Sequence, residues 1–194
     1  MTKRIINIYA QRHGQKKGDA LTEDGITQIV FSRQSGILAN VDFKAFYASP
    51  ANRTQQTAKL VAQDESLVQT NYGLYAPLTD KQIDHIWGVQ FEGLDHPPTV
   101  ADWYRALPNN WGVRMHDLLH ATFAEMALEA VRDYPEENEI NVYEAGHGLV
   151  LELALPEEQQ TMLPMGLADV IVFKIEVDED KGCRMASAKH HPYA

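Results

Sequence analysis

The sequence has a single cysteine, Cys183, in 194 residues. That excludes an internal disulfide framework and any cysteine-based zinc cluster, and nothing in it requires an oxidising compartment. Long apolar runs are also missing. The start Met1-Thr2-Lys3-Arg4 is basic, but the apolar run behind it is interrupted by Asn7 and ends at Gln11-Arg12, too short for a signal peptide or a membrane span. A cytoplasmic protein is expected, without a membrane partner. Positive charge is scarce: 17 Lys and Arg face 27 Asp and Glu, a formal net charge of −10. Such a field repels nucleic acid and anionic membrane surfaces, so an anionic substrate has to be captured by local positive charge. No Pro- or Ser-rich tract and no internal repeat divides the chain. Its 44% apolar and 23% charged residues suit one ordinary globular domain over 1–194, with room for a small inserted cap.

The local positive charge is found at the end of the alternating run Ile5 to Ala10, which predicts a strand and leads into Gln11-Arg12-His13-Gly14. Glycine lets the backbone turn sharply and approach a ligand closely. Arginine offers a planar fork of donors that matches phosphate oxygens, and a neutral imidazole can attack phosphorus. Gln15 to Asp19 reads as a polar loop bordering this tip. Its Lys16 and Lys17 have two readings, drawing an anion in or being merely solvated. Thr22 followed by Glu23 and Asp24 opens a helix, and the stripe Ile26, Ile29, Val30 and Ile37 carries it to about Ala39.

Phe43 to Ala48 is the second strand. In Ser49-Pro50-Ala51-Asn52-Arg53 the serine is expected to cap a helix with Pro50 at its first position. Arg53 then falls in the first turn, where a cation opposes the helix dipole unless an anion answers both. An arginine leaning away to a surface carboxylate is the other reading. Ser66 to Thr70 reads as a short strand. From 71 to 110 the pattern loosens around Gly73, Pro77, Gly88, Gly93, Pro97, Pro98 and Pro108, and is read as a cap with short helices at Thr79 to Ile86 and Thr99 to Ala106. Its aromatics Trp87, Phe91, Trp103 and Tyr104 either line a substrate pocket or form the cap's own core.

Met115, Leu118, Leu119, Phe123, Met126 and Ala130 recur at helical spacing across Trp111 to Val131. His116 and His120 have metal-ligand spacing there, but no HExxH pattern and no third ligand accompany them, so no metal is assigned. Ile140 to Ala145 is a strand running into Gly146-His147-Gly148, which repeats the histidine-glycine arrangement of the first strand end, with Leu149 to Leu155 starting the helix behind it. Val170 to Val177 and Arg184 to Ala188 predict two strands paired across Asp178 to Gly182. Lys189 to Ala194 is expected to be loosely held.

Four pieces in this order, Arg12-His13-Gly14, Leu21-Thr22-Glu23-Asp24-Gly25-Ile26-Thr27-Gln28, Ser49-Pro50 with Arg53 and Gln56-Thr57-Ala58, and Gly146-His147-Gly148, resemble the histidine phosphatase superfamily, also called phosphoglycerate mutase-like. The resemblance spans about Ile5 to Phe173. It implies a three-layer α/β/α sandwich with a mostly parallel central sheet and a small cap insertion, the class to which the alternation of strands and helices already points. It implies that His13 is the nucleophile that becomes a phosphohistidine, and that Arg12, Arg53 and His147 clamp the phosphoryl oxygens. Such chemistry needs neither metal nor cofactor.

The family's acid position, shortly before a glycine-rich stretch like Gly88 to Gly93, corresponds to Asp84 or to His85 depending on which glycine is counted from; Asp84 is the closer match. Gly14, Gln15, Lys16 and His85 complete the expected substrate-binding set. A metal-independent phosphatase acting on phosphate monoesters is the expected function. Phosphoglycerate mutase-type transfer and a non-catalytic module binding phosphate or phosphohistidine are the alternatives. The expected partner is a small phosphorylated substrate, with phosphoproteins left open and nucleic acid not expected; oligomeric state is not legible.

Overall fold

The computed structural model describes residues 3–74, 98–107, 111–148, 150–155, 159, 165–178 and 180–193. In chain order the elements are β1 (Arg4–Arg12), β2 (Lys16–Lys17), β3 (Ala20–Leu21), α1 (Glu23–Ser35), β4 (Phe43–Ala48), α2 (Asn52–Ala62), β5 (Val68–Thr70), α3 (Val100–Ala106), α4 (Trp111–Asp133), β6 (Glu139–Gly146), β7 (Val170–Asp178) and β8 (Gly182–His191). A six-stranded sheet runs β5-β4-β6-β1-β7-β8. The pairings β5–β4, β4–β6 and β6–β1 are parallel, and β1–β7 and β7–β8 are antiparallel. This is the expected α/β class.

Side chains alternate across a strand, so each face of the sheet collects its own core. On one face Ile6, Ile8, Ile140, Val142, Ile171 and Phe173 meet Met115, Leu119, Phe123 and Met126 of α4. The rings of Phe123 and Phe173 lie 4.8 Å apart between centroids, and burying each such side chain contributes about 1.5–3 kcal/mol. On the other face Phe43, Phe46, Tyr143 and Ala145 pack against Ile29 of α1 and Ala58 and Val61 of α2. Helices thus cover both faces, and the neighbouring parallel strands β4, β6 and β1 end at one edge, with Arg12 beside Gly146 and Ala48 beside Ala145. The carboxyl edge of an open α/β sheet is where ligands bind.

The structure departs from the sequence reading in several places. Helix α1 starts where expected, capped by Thr22, but stops at Gly36, so Ile37 lies beyond it, and Ile26 is exposed. Leu118 likewise turns outward from α4. The loop after His13 contains the small ribbon β2–β3. Strand β5 is shorter than expected because a 3-10 turn takes Glu65–Leu67. After His147 the described residues form a 3-10 turn, Leu151–Ala154, instead of the start of an α-helix.

The tail is tied down. Lys189 to His191 continue β8, His190 Nε2 bonds Asp169 at 2.9 Å, the Tyr193 N–H donates to Asp169 at 2.6 Å, and the Tyr193 ring stacks edge-on with Phe31. Cys183 is free, its thiol 3.7 Å from the Ala124 carbonyl. In the expected cap, α3 answers to the second helix; the first, at 79–86, lies outside the described residues. Among the described residues no helix is long and apolar enough to cross a membrane.

Candidate active site

Arg12 closes β1 and His13 follows it, tethered by its N–H to the Gly146 carbonyl at 3.3 Å and by its carbonyl to the Ala168 N–H at 3.4 Å. The His13 ring is buried, and Nδ1 lies 2.8 Å from the Gly14 carbonyl. A carbonyl only accepts, so Nδ1 carries the proton and Nε2 keeps its lone pair.

The loop that makes this bond is held by the second motif. A Cβ on Gly14 would lie 2.4 Å from the Gly25 carbonyl oxygen, and one on Gly25 would lie 2.1 Å from that of Gln15; two backbones touch here, and only glycines allow it. Thr22 Oγ1 caps α1 through the Gly25 N–H at 3.1 Å, Gln28 Oε1 accepts from the Gln15 N–H at 2.9 Å, and the Thr22 N–H donates to the Gln15 carbonyl at 3.0 Å. The Thr22, Gly25 and Gln28 spacing is therefore a clamp on the loop that carries the histidine.

Arg12 is pinned through one terminal nitrogen and Arg53 through both. Arg12 Nη1 donates to the Met165 carbonyl, and Met165 in turn donates its N–H to Glu152 Oε1 at 2.5 Å. The guanidinium lies over Gly148, where a Cβ would come within 2.7 Å of Arg12 Nε. Burial lowers its pKa, with Glu152 and Asp169 pulling the other way. Arg53 Nη1 donates to Asp19 Oδ1 at 2.6 Å, and Nη2 donates to His147 Nδ1 at 3.2 Å. Nε of each arginine is buried with no hydrogen-bond partner among the described residues, which leaves donors available to an anion.

The cap of α2 differs from expectation. The helix starts at Asn52 after Ala51, which makes no side-chain cap bond. Asp19 supplies the anion instead, its Oδ2 accepting from the Asn52 N–H at 3.1 Å while Oδ1 holds Arg53. One carboxylate thus offsets both the helix N-terminus and the cation in its first turn.

Ser49 has been diverted to His147, with Oγ 2.9 Å from Nε2 and 2.7 Å from Thr54 Oγ1. Arg53 can only donate, so His147 Nδ1 accepts and Nε2–H donates to Ser49. The two histidine rings lie 5.7 Å apart at 71°. Burial pushes His13 down to about 4, with Arg53, Arg12 and Lys16 adding to it against the Gly14 carbonyl. Burial, then Arg53 and His13, takes His147 down to about 3. Near neutrality the site holds two neutral imidazoles and two cationic guanidiniums.

The structure therefore brings His13, Arg12, Arg53 and His147 together at one strand edge, with Gly14 in the tethering loop. Gln15 is exposed and engaged through its backbone. Lys16 is half-buried on β2, close enough for its charge to bear on both histidines. Asp84 and His85 lie outside the described residues.

His116 Nδ1 and His120 Nε2 face the Leu153 and Ala154 carbonyls at 2.7 and 3.1 Å, bracing α4 against the turn after His147. Among the described residues no group of three or more His, Cys, Asp or Glu could hold a metal. The sequence reading missed Asp19 and the Ser49–Thr54 pair. It also missed Glu144, fully buried with no partner for its carboxyl oxygens among the described residues, its pKa pushed well above the usual carboxylate range by burial.

A family model of the histidine phosphatase superfamily (branch 1) matches residues 8–181. No curated protein sequence matches the chain. Among solved structures, phosphoglycerate mutase from Bacillus anthracis str. Sterne is similar at a TM-score of 0.63 and 19% identity, over 95% of this chain and 93% of that one. The mycobacterial glucosyl-3-phosphoglycerate phosphatase is similar at 0.63 and 18%, over 96% and 97%. Phosphoserine phosphatase from Entamoeba histolytica, in complex with 3-phosphoglyceric acid, is similar at 0.53 and 16%, over 95% and 96%. At such identities the likeness is one of fold.

Proposed function

Because the chain belongs to the histidine phosphatase superfamily, we propose that it is a metal-independent phosphatase that hydrolyses phosphate monoesters through a phosphohistidine. The observation that carries this reading is the His13 ring, whose Nδ1 bond to the Gly14 carbonyl leaves Nε2 as an unprotonated nucleophile. Nε2 attacks phosphorus, the ester P–O bond breaks, and the leaving oxygen takes a proton; water then attacks phosphorus and releases phosphate and His13. Arg12 and Arg53 hold the equatorial oxygens through guanidinium donors that no group among the described residues takes and supply preorganised electrostatic stabilisation, while His147, with Nδ1 taken by Arg53 and its Nε2–H by Ser49, orients Arg53 beside them. Lys16, with Gly14 and Gln15, borders the incoming anion.

The proton donor is Asp84, with His85 the other candidate. Asp84→Asn should lower kcat/KM on an alkyl phosphate on the order of 10²-fold while sparing p-nitrophenyl phosphate, whose leaving group needs no proton. Equal losses on both esters remove Asp84 from the role.

The neighbours' names make small phosphorylated acids the first substrates to screen. The test is release of inorganic phosphate from p-nitrophenyl phosphate in EDTA, with inhibition by micromolar vanadate expected. Activity abolished by EDTA and restored by a divalent metal contradicts the reading.

A further inference from the structure

The Asp19 carboxylate belongs to a turn, Gly18-Asp19, between β2 and β3, in which Gly18 takes φ +63°. Although its side chain is 58% exposed, it is the first link of a chain of contacts into the site. Its Oδ1 takes Arg53 Nη1 at 2.6 Å, Arg53 Nη2 takes His147 Nδ1 at 3.2 Å, His147 Nε2 meets Ser49 Oγ at 2.9 Å, and Ser49 meets Thr54 at 2.7 Å. We infer that Asp19 is a positioning residue of the anion site: it fixes the rotation of the Arg53 guanidinium and, through Arg53, the tautomer of His147.

A guanidinium has five N–H donors in one plane. With Nη1 held by Asp19, the opposite Nη2–Nε edge of Arg53 is the one turned toward His147, and its Nε is buried without a partner among the described residues. Arg12 repeats the arrangement with Met165 in the place of Asp19. Asp19 is also seated on the frame of α2, because Oδ2 accepts from the Asn52 N–H at 3.1 Å. A second stitch, the Leu21 N–H to Gln56 Oε1 at 2.8 Å, ties the same ribbon to the same helix. A carboxylate anchored at adjacent residues of the helix that carries Arg53 is built to orient that arginine. The competing idea, that Asp19 merely occupies the phosphate's place until substrate displaces it, would require both of its contacts to break on binding.

The orientation matters for His147 because the groups facing it are Arg53 from α2, His13 after β1, Lys16 from β2, Asp19 from the turn and Ser49 after β4. A freely rotating Arg53 no longer dictates which ring nitrogen accepts. Asp19 also offsets the positive charge that Arg53 and Lys16 direct at the ring.

This inference rests on the phosphatase reading for its kinetic arm, but two arms need no turnover. Asp19→Ala is compared with wild type, Asp19→Asn and a second truncation, Asp19→Ser. The readouts are titration with tungstate, an oxyanion that stays a dianion near neutral pH, ¹⁵N shifts of the His147 ring in ligand-free protein, and kcat and KM on p-nitrophenyl phosphate with their pH profile. Wild type should show the Nε2–H tautomer of His147. Asp19→Ala should show a tautomer mixture, about tenfold or more weaker tungstate binding, and a kcat lowered along with a raised KM. Its thermal melt should fall by only a few degrees, since the side chain is exposed but caps α2, and in binding and kinetics Asp19→Asn should fall between the two. Asp19→Ser is held to the same criteria if Asp19→Ala does not fold. Tungstate bound equally well or more tightly by the truncations, or an unchanged His147 tautomer, overturns the inference. Absence of turnover in wild type overturns the phosphatase reading alone.

Discussion

Arg53 places Nη2 3.2 Å from Nδ1 of His147, and because an arginine can only donate, that contact settles the proton of the histidine on Nε2. Ser49 then has to accept it, and Ser49 is fully buried. Ser49→Ala should leave a buried N–H without its acceptor, costing about 1–3 kcal/mol in urea denaturation. It should also lower kcat/KM on the order of tenfold as the ring loses one of the two contacts that fix its orientation. Unchanged stability and unchanged kinetics contradict this role for the hydroxyl.

Gly25 offers a test of opposite signs. It lies in the first turn of α1, where helix propensity alone makes Gly→Ala favourable by about 1 kcal/mol. The structure places the new Cβ 2.1 Å from the Gln15 carbonyl oxygen, a backbone atom held by its own hydrogen bond to Thr22. Overpacking of this kind costs about 1–3 kcal/mol, so Gly25→Ala should lower the urea midpoint. It should also impair turnover, because the displaced loop carries the His13 tether. A stabilised, fully active Gly25→Ala protein contradicts the clamp.

The histidines set a pH dependence. Both are depressed, His13 to about 4 and His147 to about 3, from an unfolded value of about 6.5. Between those values the unfolded chain binds protons that the folded one refuses, so stability is full above about pH 6.5 and is lost as pH falls toward the folded values. By pH 5 the loss reaches about 2 kcal/mol per histidine. Urea denaturation at pH 7.5 and pH 5 should show it, and His147→Asn should show a smaller loss than wild type. The acid limb of kcat/KM should accordingly lie below pH 5 and not near 6.5. A His147→Asn loss equal to that of wild type contradicts the assignment.

Much of the arrangement was legible because it is local. Phe43 to Ala48 has the bounds read from its apolar pattern, and Thr22 caps α1 as its side chain and the acidic first turn suggest. Arg12, His13 and His147 could be placed because each sits at or just beyond a strand end, and Arg53 because it opens a helix. What escaped depends on partners distant in sequence. Asp19 looks like a solvated turn residue until Arg53, 34 positions on, folds against it. Ser49 before Pro50 has a helix-capping pattern, but His147, 98 positions away, takes the hydroxyl. The tail looked loose because its anchor, Asp169, is 21 residues before His190 and 24 before Tyr193. The end of α1 was misjudged because Ile37 continues the apolar stripe past Gly36, where the helix stops.

The central claim is that the phosphoryl group is transferred to His13, and trapping tests it most directly. Protein mixed with a ³²P-labelled phosphate monoester and quenched in base during turnover should carry label that is stable to alkali and lost in acid, as expected of a phosphoramidate, and peptide mapping should place it on His13. His13→Ala should fold, carry no label and show no turnover. Label on the His13→Ala protein, or full activity without His13, contradicts the account.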